Sequence, residues 1–186
     1  MPAKGCKGSR NVCKSTIQKS RPWGAPTKNV MNPKPGHAAL RKGRVSIEGQ
    51  VYLVTTTTLE RQPFFADFRA AQSAAQAFED KAVLADAKLL AWVLMPDHFH
   101  GLLQLDGKTS LQNIMNRLKS ASARRANQVM QREGPLWSRA YHDHALRQEE
   151  DLLETARYIV ANPMRARSVR RVGDYPFWNA IWLPTP

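Results

Sequence analysis

Apolar and polar positions fall into regular patterns along this chain only after about residue 45. Residues 50–58 (QVYLVTTTT) are dense in β-branched and aromatic side chains and predict a strand, cut off by Pro63. Residues 66–84 repeat Phe68, Ala71, Ala75, Phe78 and Ala82 at helical spacing. Ala87–Met95 (AKLLAWVLM) is a short apolar run that ends at Pro96 and reads as a buried strand. His98–Leu105 (HFHGLLQL) reads as its hairpin partner and stops at Asp106-Gly107. Residues 110–131 predict a second amphipathic helix, striped by Leu111, Ile114, Met115 and Leu118 and ended by Gly134-Pro135. A fourth strand is expected over 140–146. A third helix is expected over about 149–162, acidic at its first turn, where the macrodipole favours it, and stopped by Pro163. The order β-α-β-β-α-β-α, with hairpins joining neighbours, predicts an α+β fold: a two-layer sandwich with a central antiparallel sheet and helices on one face.

The region upstream is different in kind. Residues 1–42 contain Pro2, Pro22, Pro26, Pro33, Pro35, Gly5, Gly8 and Gly24 and show no hydrophobic period, so they read as an extension without a core. The domain proper is then 43–186. The chain has 28 Lys+Arg against 15 Asp+Glu, a net charge of +13, which points to a polyanionic partner. Eleven of those basic residues precede Glu48, the first acid, so the remainder is nearly balanced at 17 against 15. The extension is either a basic arm lying on phosphates or upstream codons before a true start at Met31. Cys6 and Cys13 are the only cysteines, which excludes a disulfide scaffold and suits a reducing cytoplasm. No apolar run approaches the roughly 18 residues that a membrane span needs, and the start of the chain has no apolar leader.

Candidate chemistry begins with His98-Phe99-His100. Strand side chains alternate faces, so the two imidazoles project together while Phe99, Gly101 and Leu103 turn into the core. One divalent cation could bridge such a pair, although a lone HxH is common and also reads as two exposed histidines. Hydrolases that carry the motif on a β/α barrel need about 250 residues, more than this chain has. On the third helix Glu154, Tyr158 and Asn162 line up at i, i+4 and i+8. Taken alone, Tyr158 is a core-edge residue with a wet hydroxyl and Asn162 an ordinary C-cap.

With their flanks, these two features resemble the single-tyrosine HUH transposases, specifically the REP-associated tyrosine transposases of bacteria. The matching stretches are 49–57 (GQVYLVTTT), 92–103 (WVLMPDHFHGLL), 134–147 (GPLWSRAYHDHALR), 149–166 (EEDLLETARYIVANPMRA) and 172–183 (VGDYPFWNAIWL). The resemblance implies a ferredoxin-like HUH endonuclease fold, with His98 and His100 as metal ligands and Tyr158 as nucleophile. Asn162 stands where the family supplies a further polar ligand. It also implies Mg²⁺ or Mn²⁺ as cofactor. The implied activity is single-stranded DNA cleavage and strand transfer (DNA transposition) on hairpins from repetitive extragenic palindromes, through a covalent 5′-phosphotyrosine. The implied setting is the bacterial cytoplasm at the nucleoid, with no membrane partner and no small-molecule substrate. Relatives that act as dimers exchange the tyrosine helix, whereas REP-associated members act as monomers, the state expected here.

Two basic clusters are candidates for the DNA backbone: Arg117, Lys119, Arg124 and Arg125 on the second helix, and Arg165, Arg167, Arg170 and Arg171 beyond the tyrosine helix. Together they could embrace a DNA strand; the bland alternative is a solvated basic face. His142 and His144 could be a second-shell or DNA-contacting pair, or exposed strand histidines. Trp137 could stack on an unpaired base, or sit in the core. Arg167 and Ala140 stand where relatives usually have glycine, and the first of these positions is expected to need φ > 0. The rival readings are a non-catalytic DNA-binding regulator on the same fold, an HUH replication initiator or relaxase, and a zinc hydrolase using His98 and His100.

Overall fold

The computed structural model describes residues 47–107, 109–147 and 151–182; the expected extension over 1–42 lies outside them. Among the described residues, β1 (Val51–Thr57), β2 (Ala87–Met95), β3 (His98–Leu105), β4 (His142–Ala145) and β5 (Trp178–Ala180) form one sheet in the order β4-β1-β3-β2-β5. Every neighbouring pair is antiparallel. The helices are α1 (Phe68–Ala75), α2 (Lys81–Leu84), α3 (Leu111–Met130), α4 (Leu152–Val160) and α5 (Asn162–Arg165). The fold is α+β, as expected.

Local chemistry sets the helix boundaries. Asp67 accepts from the Ala70 N–H, Ser110 from Asn113, and Asp151 from Leu153 and Glu154, so α1, α3 and α4 each start on a side-chain cap. The single helix expected over 66–84 is instead two. Asp80 accepts from the Ala82 N–H and opens α2, and an acid that caps a new helix competes with continuing the old one. Pro163 lies in the first turn of α5, where its missing N–H costs nothing. The three-residue β5 is too short for its alternation to have been read from the sequence.

The sheet is buried on both faces. Tyr52, Val54, Leu94, Phe99, Leu103 and Leu105 pack with residues of α1 and α3, such as Ala70, Ala74, Ile114 and Leu118. Val51, Val93, Met95 and Leu102 pack on the other side with Ala156 and Ile159 of α4. Helices on one face only is therefore corrected: α1 and α3 share a face, and α4 lies on the opposite one. The physical reason is that β2 is apolar and buried from Leu90 to Met95 and can cover two layers there. Its pairing register shifts between Leu89 and Ala91, so that Leu90 and Ala91 both turn towards α4. Among the described residues, no helix is long and apolar enough to cross a membrane.

Candidate active site

The two-residue turn Pro96-Asp97 joins β2 to β3, with Met95 paired to His98. Its backbone is pinned from outside: the Thr58 N–H and hydroxyl both donate to the Asp97 carbonyl (2.9 and 3.0 Å), and the Phe65 N–H donates to that of Pro96 (3.0 Å). Phe99 is buried against Phe78, 4.5 Å between ring centres, which fixes the parity of the strand. Leu102 has the same parity as His98 and His100 and packs under α4, so both imidazoles project on the α4 face.

The two rings stand 4.8 Å apart at their centres and nearly perpendicular, at 84°. His98 Nδ1 lies 2.6 Å from Asp97 Oδ1, and His100 Nδ1 lies 2.8 Å from the Thr55 hydroxyl. A carboxylate can only accept, so His98 Nδ1 carries the proton and Nε2 keeps its lone pair. Burial, followed by the neighbouring His98 and Arg61, pushes the His100 imidazole down to about 4, so it is neutral at pH 7.

Asp97 is held on its second oxygen too, 3.0 Å from Arg61. Burial opposes its ionisation, but hydrogen bonds from His98 and Arg61 outweigh burial and keep the carboxyl below its usual range. Arg61 reaches it from a short turn in which Glu60 and Arg61 both have positive φ, 53° and 55°. Each such non-glycine residue costs about 1–2 kcal/mol. An ion pair with a largely exposed partner returns about 0–1 kcal/mol, so this arrangement is a net cost to stability.

Helix α4 sits on the sheet through Ala156 and Ile159, with Tyr158 half-buried beside that stripe. The Arg165 guanidinium lies 4.2 Å over the Tyr158 ring. Asn162 Nδ2 donates to the carbonyls of Tyr158 (3.2 Å) and Ile159 (2.9 Å), which caps α4 and takes up the nitrogen end of the amide, not Oδ1. Among the described residues no three His, Cys, Asp or Glu side chains gather as a metal site. The candidate donors are two imidazole Nε2 atoms from β3 and one amide oxygen from the end of α4, types whose chemistry fits a divalent first-row cation.

The remaining candidates divide. Thr55 pairs with His100 on one side and His142 on the other, and Leu53 pairs with His144, so both HxH pairs share one face of the sheet. His142 is exposed and His144 half-buried. Of the two readings of Trp137 the core one holds, and base stacking is set aside: it is buried, packs on Phe65 and donates its indole N–H to Ser122. Lys119 is corrected. Its ammonium donates inward to the carbonyls of Ser138 and Arg139, and burial lowers its pKa. Arg125 pairs with Asp80 at 2.5 Å, and Arg117 has Nε and one terminal nitrogen buried without a hydrogen-bond partner, which leaves Arg124 as the exposed base of α3. Arg165, Arg167, Arg170 and Arg171 are all exposed. The first cluster is carried by α3 and the second follows α4, helices that pack on opposite faces of the sheet. Arg167 has φ 58°, the conformation expected at a former glycine position, whereas Ala140 has no positive φ. Three functional candidates escaped the sequence reading: Thr55, Arg61 and Asp97.

The comparisons with known proteins identify the family to which this fold belongs. The family model described as Transposase IS200 like matches residues 46–162, well over half of the chain, and the protein belongs to that family. A protein of Haemophilus influenzae that carries the name REP-associated tyrosine transposase is 30% identical over 98 residues, covering 47% of this chain and 56% of its own length. An Escherichia coli protein named REP-associated tyrosine transposase is 26% identical over 88 residues, covering 47% and 50%. The chain thus spans about half the length of the curated relatives it matches. A solved REP-associated tyrosine transposase bound to a REP hairpin has the same fold, with a TM-score of 0.56 at 22% identity over 73% of this chain and 79% of that one.

Proposed function

We propose that this protein is a single-stranded DNA endonuclease and strand transferase that cuts hairpin DNA through Tyr158, with His98, His100 and Asn162 holding Mg²⁺ or Mn²⁺. The observation that carries this reading is the pair of histidines on the sheet face that the tyrosine helix covers, each held through Nδ1 rather than Nε2. When bound, the cation draws charge from the anionic oxygens of the phosphodiester.

The chain's own residues do the rest. The Tyr158 oxygen attacks phosphorus and loses its proton; the bond to the 3′ oxygen breaks, giving a 5′-phosphotyrosine and a free 3′-OH. A phenolate leaves more readily than an alkoxide, so a second 3′-OH can attack the phosphotyrosine and rejoin strands without ATP. Arg165 keeps a positive charge against the phenol ring. Asn162, tied to the last carbonyls of α4, travels with the nucleophile's helix. Exposed Arg165, Arg167, Arg170 and Arg171 follow on that side and take backbone phosphates. The row His142-Thr55-His100 continues the polar strip across three strands. The reading takes the protein as a monomer, with α4 on the sheet of its own chain. Its setting is the bacterial nucleoid.

The test incubates wild type and Tyr158→Phe with end-labelled hairpin DNA and Mn²⁺, followed by denaturing electrophoresis. Wild type should retain label covalently and the variant none. A wild type without adduct, or a variant with as much, ends the proposal.

A further inference from the structure

We propose that Asp97, braced by Arg61, is a positioning residue that sets the tautomer and aim of His98. This rests on the reading of His98 as a cation ligand. An imidazole ligates through an unprotonated nitrogen, and the free ring prefers to carry its proton on Nε2, the nitrogen that Asp97 does not hold here. Something must move that proton to Nδ1. The Thr55 hydroxyl can donate or accept, so it permits either tautomer of His100. Asp97 is different. Its carboxylate cannot donate, and at 2.6 Å it requires the proton on His98 Nδ1.

The carboxylate is itself fixed. Its Oδ1 is on His98, its Oδ2 is on Arg61, and its backbone carbonyl takes two bonds from Thr58. Arg61 is delivered by a turn whose two left-handed residues are not repaid by the ion pair they create. Backbone strain held in place beside a reactive group marks a functional constraint. The three residues lie 36 positions apart in sequence at Arg61 and Asp97 and adjacent at Asp97 and His98, so one side chain on a strained turn reaches across to orient the hairpin's first histidine.

The experiment uses the full chain without metal at pH 8, labelled with ¹⁵N at histidine, and reads the tautomer from long-range proton–nitrogen correlations. Wild-type His98 should carry its proton on Nδ1, Asp97→Ala should move it to Nε2, and Asp97→Asn, which keeps an acceptor oxygen, should restore the Nδ1 form. Mn²⁺ titration followed by electron paramagnetic resonance should then show about 10–100-fold weaker binding for Asp97→Ala, with Asp97→Asn closer to wild type. A wild-type His98 protonated on Nε2, or an Asp97→Ala with unchanged tautomer or unchanged Mn²⁺ affinity, overturns the role of Asp97. A wild type that carries the Nδ1 proton but binds no Mn²⁺ sinks the ligand reading instead, and leaves the tautomer assignment standing.

Discussion

Replacing Arg167 with glycine should make the protein more stable. Arg167 ends α5 at φ 58°, where its N–H donates to the Met164 carbonyl and the Ser168 N–H to that of Pro163, both at 2.9 Å. This nested pair is a Schellman closure, which needs one left-handed residue. A non-glycine side chain there costs about 1–2 kcal/mol. Glycine removes that cost but returns about 0.4–1 kcal/mol through the freedom it gives the unfolded chain. The net expectation is a gain of about 0.5–1 kcal/mol, with no packing lost because Arg167 is exposed. Arg170 is the control: it is exposed in the same segment without positive φ, so glycine there incurs only the entropic loss. Urea unfolding followed by tryptophan fluorescence, read as a midpoint shift at constant slope, should therefore give opposite signs for the two variants. Equal destabilisation by both would refute the claim of strain at 167.

Three further outcomes follow from the packing and the ionisation of the fold. Gly101→Ala would put a Cβ 2.8 Å from the Phe99 ring, which Phe78 already holds, so thermal unfolding should show a loss of about 1–3 kcal/mol; an unchanged midpoint contradicts this. Burial pushes the Tyr175 phenol up to about 12 while its hydroxyl donates to the Leu94 carbonyl at 2.7 Å. The fold thus favours the neutral form: its contribution is complete below about pH 10, the unfolded value, and is lost as the pH rises towards 12. Tyr175→Phe should flatten that part of the denaturation-midpoint profile, and identical profiles would dismiss it. Because the Lys119 ammonium is spent on two carbonyls, Lys119→Ala should leave the salt slope of hairpin binding unchanged, while Arg170→Ala should lower it by about one phosphate contact in fluorescence anisotropy. The reverse ranking would restore Lys119 to the DNA surface.

What the sequence disclosed and what it withheld follow from the range of the interactions. The hairpin was legible because Pro96-Asp97 interrupts two runs of opposite parity, and the same parity put His98 and His100 on one face. Helix α3 was legible because Leu111, Ile114, Met115 and Leu118 recur at helical spacing, a short-range pattern. The face that α4 covers was not legible, since a stripe of Ala156 and Ile159 states that a helix packs but not against which side of a two-faced sheet. The partners of the histidines were invisible for a related reason: Thr55 is 45 residues from His100 and Arg61 is 36 from Asp97. Lys119 misled because its charge is written in the sequence while its inward direction is set by the loop at 138–139. The break after α1 was a local competition in which Asp80 won a cap that helical periodicity alone does not weigh.

The two-faced sheet has a genetic consequence. Along β3, Phe99 and Leu103 support the α1–α3 layer, while His98 and His100 face the tyrosine helix, so adjacent codons serve different ends. On the proposed function, lesions at Phe99 and Leu103 should deplete the folded protein, whereas lesions at His98 and His100 should cost activity more than abundance. Under that function, mutations that abolish DNA processing would fall, over His98–Gly101, into two classes that alternate residue by residue and that a measurement of protein level separates; at Leu102 both faces of the strand belong to the core.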